Sequence, residues 1–306
     1  RDESVSRGLG DVYKRQRRAN WLAECSRAAG RWTQVVPWDR MGYLNLTNTS
    51  YIIAFARRYR MERPDRFRGP DACRCGFCAR AGGVRRFDGD HDESDCMKRG
   101  WNKTLVHHTI VDALVRMLKH CGGFVEGSIK SEYKYWDPAR VGTDGTRRVP
   151  DVTCTDKQGK EYVIDARIFW NAMSESSNGF MAYTDTGVGA VRGEAEKRRS
   201  WDAAMLRRAE AAPAGVEFIP FSLEASGVWG PAARRFFAKC LYLADDDRDI
   251  DVYHWSSAKF SSTWHDTFSI LLARGRAQVS VAASRGDWPK RTQDQAYSDQ
   301  NHASAA

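Results

Sequence analysis

The stretch that most constrains this chain is Arg148–Phe169, RVPDVTCTDKQGKEYVIDARIF. Two runs rich in β-formers, Val149–Thr155 and Glu161–Phe169, flank the polar, Gly-containing segment Asp156–Lys160. Apolar and β-branched runs around such a turn predict a β-hairpin. A turn centred on Gln158 pairs residues whose numbers sum to 316, which sets Asp151 opposite Asp165. Opposed residues on paired strands sit about 5 Å apart at Cβ, and two carboxylates so placed repel. A divalent cation between them removes the repulsion, because hard cations take oxygen ligands. Arg167, two residues past Asp165, projects from the same face. The competing reading is an ordinary hairpin with one aspartate in a turn and the other on a solvated face.

The rest of the chain supplies a core and a charge. Its 306 residues are enough for one large domain or two modest ones, and 42% apolar content suffices for a sizeable interior. A net charge of +9, from 48 Lys and Arg against 39 Asp and Glu, favours an anionic partner, nucleic acid first. No run approaches the roughly 20 apolar residues that span a bilayer, and no signal peptide is evident.

Residues 1–16 read as a translated sequencing adapter, with a flexible basic leader as the alternative; on the adapter reading the true chain begins further upstream. Residues 17–70 form a helical linker segment. Within it Thr47–Ser50 caps a short helix on which Ile52, Phe55 and Tyr59 recur at helical spacing. Residues 71–98 carry Cys75-x2-Cys78, then twelve residues, then His91-x4-Cys96. One tight turn presents two thiolates to a single ion, and His91 and Cys96 complete a tetrahedral structural zinc site. Cys73 is an alternative to Cys75.

Residues 99–284 form the main domain. Lys103–Cys121 is a helix with the apolar stripe Ile110, Leu114, Met117, Leu118 and Cys121. His107 lies near that stripe and reads as a packed histidine, whereas His108 points elsewhere, within reach of a phosphate. Phe124–Tyr135 reads as a strand carrying the spare acids Glu126 and Glu132. Residues 171–189 form a long loop. Ala190–Ala211 is a charged helix with Lys197 and Trp201 as i,i+4 neighbours, either a solvated ion-paired face or the source of an active-site ammonium. Val216–Ala225 is a strand, Pro231 starts a helix with Phe236, Phe237 and Leu241 facing the core, and Phe260–Leu272 makes a last helix ended by Gly275. The acidic run Asp245–Asp247 with Asp249 and Asp251 is a solvated loop. Residues 285–306 are polar and aperiodic, a disordered tail.

Pro150-Asp151, thirteen residues, then Asp165-Ala166-Arg167 resembles the PD-(D/E)XK nuclease core. A Cys-Cys-His-Cys knuckle, an amphipathic helix and then this hairpin resemble, from about Trp21 to Arg276, the restriction-like endonuclease region at the C-terminus of site-specific non-LTR retrotransposon proteins. Further marks are Phe218–Glu224 (FIPFSLE), Gly227–Gly230 (GVWG) and the helix Trp264–Gly275. The resemblance implies an α/β (α+β) restriction-endonuclease-like core, a central mixed sheet flanked by helices, behind a small zinc knuckle. It implies nicking of a DNA target strand, with the upstream reverse transcriptase of the same polyprotein priming on the new end and element RNA as a further partner. Cys75, Cys78, His91 and Cys96 would hold Zn²⁺. Asp151 and Asp165 would hold Mg²⁺ or Mn²⁺. Lys197 would be the migrated catalytic lysine, with Arg167 standing where a simple PD-(D/E)XK enzyme has Lys. Arginine stays charged and does not serve as a base, but it can stabilise developing negative charge. Glu126 or Glu132 is a candidate further acid.

The sequence departs from the family at two points: a longer middle spacer in the knuckle, and an Arg/Lys-His-Asn triplet for which Arg99–Asn102 and His107-His108 are imperfect candidates. No polymerase turn of the Tyr-x-Asp-Asp type is present. A DNA target implies an intracellular, nuclear location and no membrane. The competing functions are a decayed nucleic-acid-binding module of the same origin and an unrelated α/β domain.

Overall fold

The computed structural model describes residues 22, 25–26, 30–34, 44–59, 61, 100–131, 150–170, 185–206, 215–244 and 260–285. The knuckle residues Cys75, Cys78, His91 and Cys96, the acid Glu132, the acidic run 245–251 and the leader 1–16 lie outside them, as does the tail beyond Arg285.

Hydrophobic periodicity sets the helices. In chain order they are α1 (Asn48–Arg58), α2 (Gly100–Cys121), α3 (Val188–Leu206), α4 (Pro231–Leu243) and α5 (Phe260–Arg285). The strands are β1 (Lys130–Ser131), β2 (Val152–Thr155), β3 (Glu161–Phe169) and β4 (Val216–Glu224). They form one four-stranded sheet in the order β1-β2-β3-β4. β1, β2 and β3 pair antiparallel, and β4 joins β3 in parallel after the crossover through α3. The protein is thus a mixed α/β fold with a mixed sheet flanked by helices. Pro220 sits in β4 at the sheet edge, where a missing N–H breaks no ladder bond.

The hairpin has the register read from its turn. Val152 pairs with Ile164, Thr153 with Val163, Cys154 with Tyr162 and Thr155 with Glu161. Asp156 builds the turn: its Oδ1 accepts from the backbone N–H of Gln158 at 3.0 Å and of Lys160 at 2.9 Å, while Gly159 takes φ of 87°. Oδ2 accepts from the Tyr162 hydroxyl at 2.9 Å and Lys239 Nζ at 3.1 Å.

Alternation divides β3 between two faces. Tyr162, Ile164 and Ala166 join the main core with Leu114, Met117 and Leu118 of α2, Phe236 of α4, and Trp264, Phe268 and Leu271 of α5. The α2 stripe predicted from sequence is wholly buried. The opposite face, with Asp165, Arg167 and Phe169, receives α3.

Four sequence expectations need correction. Gly275 does not end α5, which continues to Arg285. A Cβ there would meet both Val106 methyl carbons at 2.7 Å, so this glycine marks the close approach of α5 to α2. Phe124–Tyr135 is no continuous strand: Phe124 makes a single bridge to Asp156, Glu126–Ser128 is a 3-10 turn, and among the described residues of this stretch only Lys130–Ser131 forms a strand. The Ser128 hydroxyl binds the backbone of Val125 and Thr155, offering the chain a turn instead of a ladder. On α4 the core position predicted for Leu241 belongs to Cys240, and Leu241 is exposed. On α1 the fully buried positions are Ile53, Ala54 and Ala56; Ile52 and Phe55 of the predicted stripe pack part-buried against the core, and Tyr59 is exposed.

Candidate active site

One rung beyond the paired residues of the hairpin, Asp151 stands opposite Asp165, and their carboxylates lie within hydrogen-bonding reach of each other. Asp151 is 6% exposed. Asp165 is part-exposed. Asp151 Oδ1 meets His107 Nε2 at 3.1 Å, and its Oδ2 accepts the backbone N–H of Ala166. Asp165 Oδ1 accepts from Lys197 Nζ at 2.6 Å. Four groups, from the residue before β2 and from β3, α2 and α3, thus converge. Lys197 of α3 reaches Asp165, while Arg192 and Glu196 of the same helix form an ion pair that Arg167 joins.

The sequence explains how α3 comes so near. Gly189, Gly193, Lys197 and Trp201 recur every four residues, one stripe of a helix. A Cβ on Gly189 would meet Phe169 Cδ1 at 2.4 Å, and one on Gly193 would meet Ser222 Oγ at 2.3 Å. The two glycines let the helix lie against the sheet, and Trp201 stacks on Phe218 of β4, ring centroids 4.6 Å apart. Two buried glutamates fix the helices end-on. Glu224 accepts the N–H of Gly189 in the first turn of α3, and Glu194, from within α3, accepts those of Ala232 and Ala233 at the start of α4.

The electrostatics separate the two acids. Burial pushes Asp151 upward, but the His107 hydrogen bond and charge, with Lys197, outweigh it and leave it below the usual carboxylate range. Burial and the Asp151 charge outweigh Lys197 at Asp165 and push it up to about 6. Left to themselves, two facing carboxylates thus tend to keep a proton between them, the position a cation would relieve. Their all-oxygen donor set fits Mg²⁺, which binds through one or two carboxylates and keeps several waters. Among the described residues no group of three or more His, Cys, Asp or Glu is gathered as for a metal ion.

Other candidates fall elsewhere. Arg167 gives NH1 to Glu196 Oε2 at 2.6 Å, two residues along β3 from the acid pair. Glu126 is exposed at the opposite end of β2, where Val125 bonds Thr155, and is not brought to the pair. His108 stands edge-on to His107 at 5.6 Å, and burial with that neighbour holds it below the usual histidine range. His107, expected as a packed histidine, is instead Asp151's partner. Its place three residues before Ile110 put it at the margin of the apolar stripe, which reaches the hairpin's open end.

No helix among the described residues is long and apolar enough to cross a membrane. Compared with known proteins, the chain matches no family model and no curated sequence.

Proposed function

We propose that this chain is a divalent-cation-dependent DNA endonuclease with a restriction-like core, the target-nicking region of a retrotransposon-encoded reverse-transcriptase polyprotein. The observation that carries the reading is the facing pair Asp151 and Asp165 with Lys197 Nζ 2.6 Å from Asp165. A net charge of +9 supports an anionic polymer as substrate.

In this reading Asp151 and Asp165 hold Mg²⁺ or Mn²⁺, which when bound supplies an activated water and Lewis-acid stabilisation of the phosphoryl oxygens. Asp165 is ready to release its proton near neutral pH and present a carboxylate. His107 and the Ala166 N–H fix the orientation of Asp151, one on each oxygen. Lys197 places a positive charge beside the oxygens where negative charge develops. Cys75, Cys78, His91 and Cys96 serve as a structural Zn²⁺ knuckle that, with Arg85, Arg86 and Lys98, positions DNA by phosphate contacts.

The test is nicking of supercoiled plasmid by the full chain in Mg²⁺ or Mn²⁺, against EDTA. Metal-dependent relaxation is expected, abolished in Asp151→Asn and Asp165→Asn and slowed on the order of 10²–10³-fold in Lys197→Met. Salt-sensitive DNA binding without any nicking in either metal would replace the proposal with the non-catalytic nucleic-acid-binding module.

A further inference from the structure

Next to the acid pair lies a second charged cluster. Glu196 Oε2 meets Arg167 NH1 at 2.6 Å, and Glu196 Oε1 meets Arg192 Nε at 2.7 Å. One carboxylate therefore holds two guanidiniums, one on each oxygen. Burial raises Glu196, but the Arg192 hydrogen bond and the Arg167 charge outweigh it, so the carboxylate stays ionised at neutral pH. Arg167 is braced over the Phe169 ring at 5.9 Å, and a Cβ added at Gly193 would meet its Cδ at 3.3 Å. All three side chains remain reachable, with 31%, 27% and 25% of Arg167, Arg192 and Glu196 exposed.

Geometry ties this cluster to the acid pair. Arg167 and Asp165 are two residues apart on one strand face, roughly 6.5 Å, the scale of one nucleotide step along a strand of DNA. Guanidinium forks match carboxylate and phosphate oxygens alike.

We propose that Arg167 and Arg192 form a second phosphate-binding site, taking a DNA backbone phosphate adjacent to the one attacked, and that Glu196 holds both guanidiniums in place until that phosphate arrives. The site deepens the nuclease reading and rests on it for the identity of the polymer.

The experiment is equilibrium binding of the full chain to a short DNA duplex in EDTA, by fluorescence anisotropy over a range of salt, with thermal melting to verify folding. Each phosphate contact contributes about 0.9 to the slope of log K against log salt. Arg192→Gln is expected to lower that slope by about 1, while Arg192→Lys, which keeps the charge, preserves it. Glu196→Gln, nearly the same shape, is expected to bind several-fold tighter than the parent. An unchanged slope in folded Arg192→Gln, no tightening in folded Glu196→Gln, or a parent chain without salt-sensitive binding overturns the site. Should Glu196→Gln not fold, the Arg192 pair of variants decides alone. Binding and nicking separate the two readings. A chain that shows the slope change but never nicks keeps the phosphate site and loses the nuclease; one that nicks with an unchanged slope does the reverse.

Discussion

His265 lies between Trp229 and Phe237, with ring centroids 4.7 and 4.6 Å away. Burial there, with the Arg31 charge, lowers its pKa to about 4 against the pull of Asp266. An unfolded histidine takes its proton near pH 6.5. Between those values the unfolded chain binds more protons than the folded one, so stability rises with pH across the window and is lost as pH falls from about 6.5 to about 4. The contribution is up to about 3 kcal/mol. His265→Phe keeps a ring in the gap and removes the titration. Denaturant melts at pH 7 and pH 4.5 are expected to show a smaller loss in the variant than in the parent; equal losses would show that this ring does not set the acid sensitivity. At this scale the sequence was legible where period two governs. Asp151 and Asp165 could be paired from the turn alone, because a strand residue's face follows from counting. It was not legible at Glu194 and Glu224, whose partners are helix ends 38 and 35 residues away.

Helix α3 is held at its distance by what its glycines lack. Gly193 faces Ser222 Oγ, a buried hydroxyl without a hydrogen-bond partner among the described residues. Gly193→Ala adds helix propensity, worth about 1 kcal/mol, but drives a methyl into that oxygen, an overpacking cost of typically 1–3 kcal/mol. Lys197, one helical turn on, would be lifted from Asp165. Ser222→Ala removes the oxygen and with it an unsatisfied buried group, so by itself it is expected to be neutral or stabilising. The double variant should recover most of the stability that Gly193→Ala loses, a positive coupling measurable in a double-mutant cycle. Strict additivity would mean that the contact is not what sets the helix height. The Gly189, Gly193, Lys197 spacing was present in the sequence all along. It was overlooked because a helix so rich in charge reads first as a solvated face, and small residues give no hydrophobic signal. Gly275 misled in the opposite sense: taken as a stop, it is a crossing point, because tertiary packing and not propensity decides what a mid-helix glycine does.

Across the whole molecule, one core joins α2, the hairpin, α4 and α5, and the site lies where that core's sheet meets α3. The aromatic and aliphatic stripes made this much readable, since Leu114, Met117, Trp264 and Phe268 are buried for the same reason that they are periodic. The order of assembly follows from chain separation. The hairpin closes across Asp156–Lys160, whereas Lys197 lies 32 positions beyond Asp165 and can dock only with its crossover helix in place. Local pairing forms on a microsecond scale, and parallel pairing waits on a longer loop. The folding chain therefore brings two negative charges face to face before their positive partner arrives. Refolding of the parent, followed by stopped-flow fluorescence, is expected to quicken in millimolar Mg²⁺, and that acceleration should vanish in Asp165→Asn; equal rates with and without the ion would reverse the order. On the proposed reading, a cation held by Asp151 and Asp165 would have a second occupation, as a midwife to the fold before Lys197 arrives.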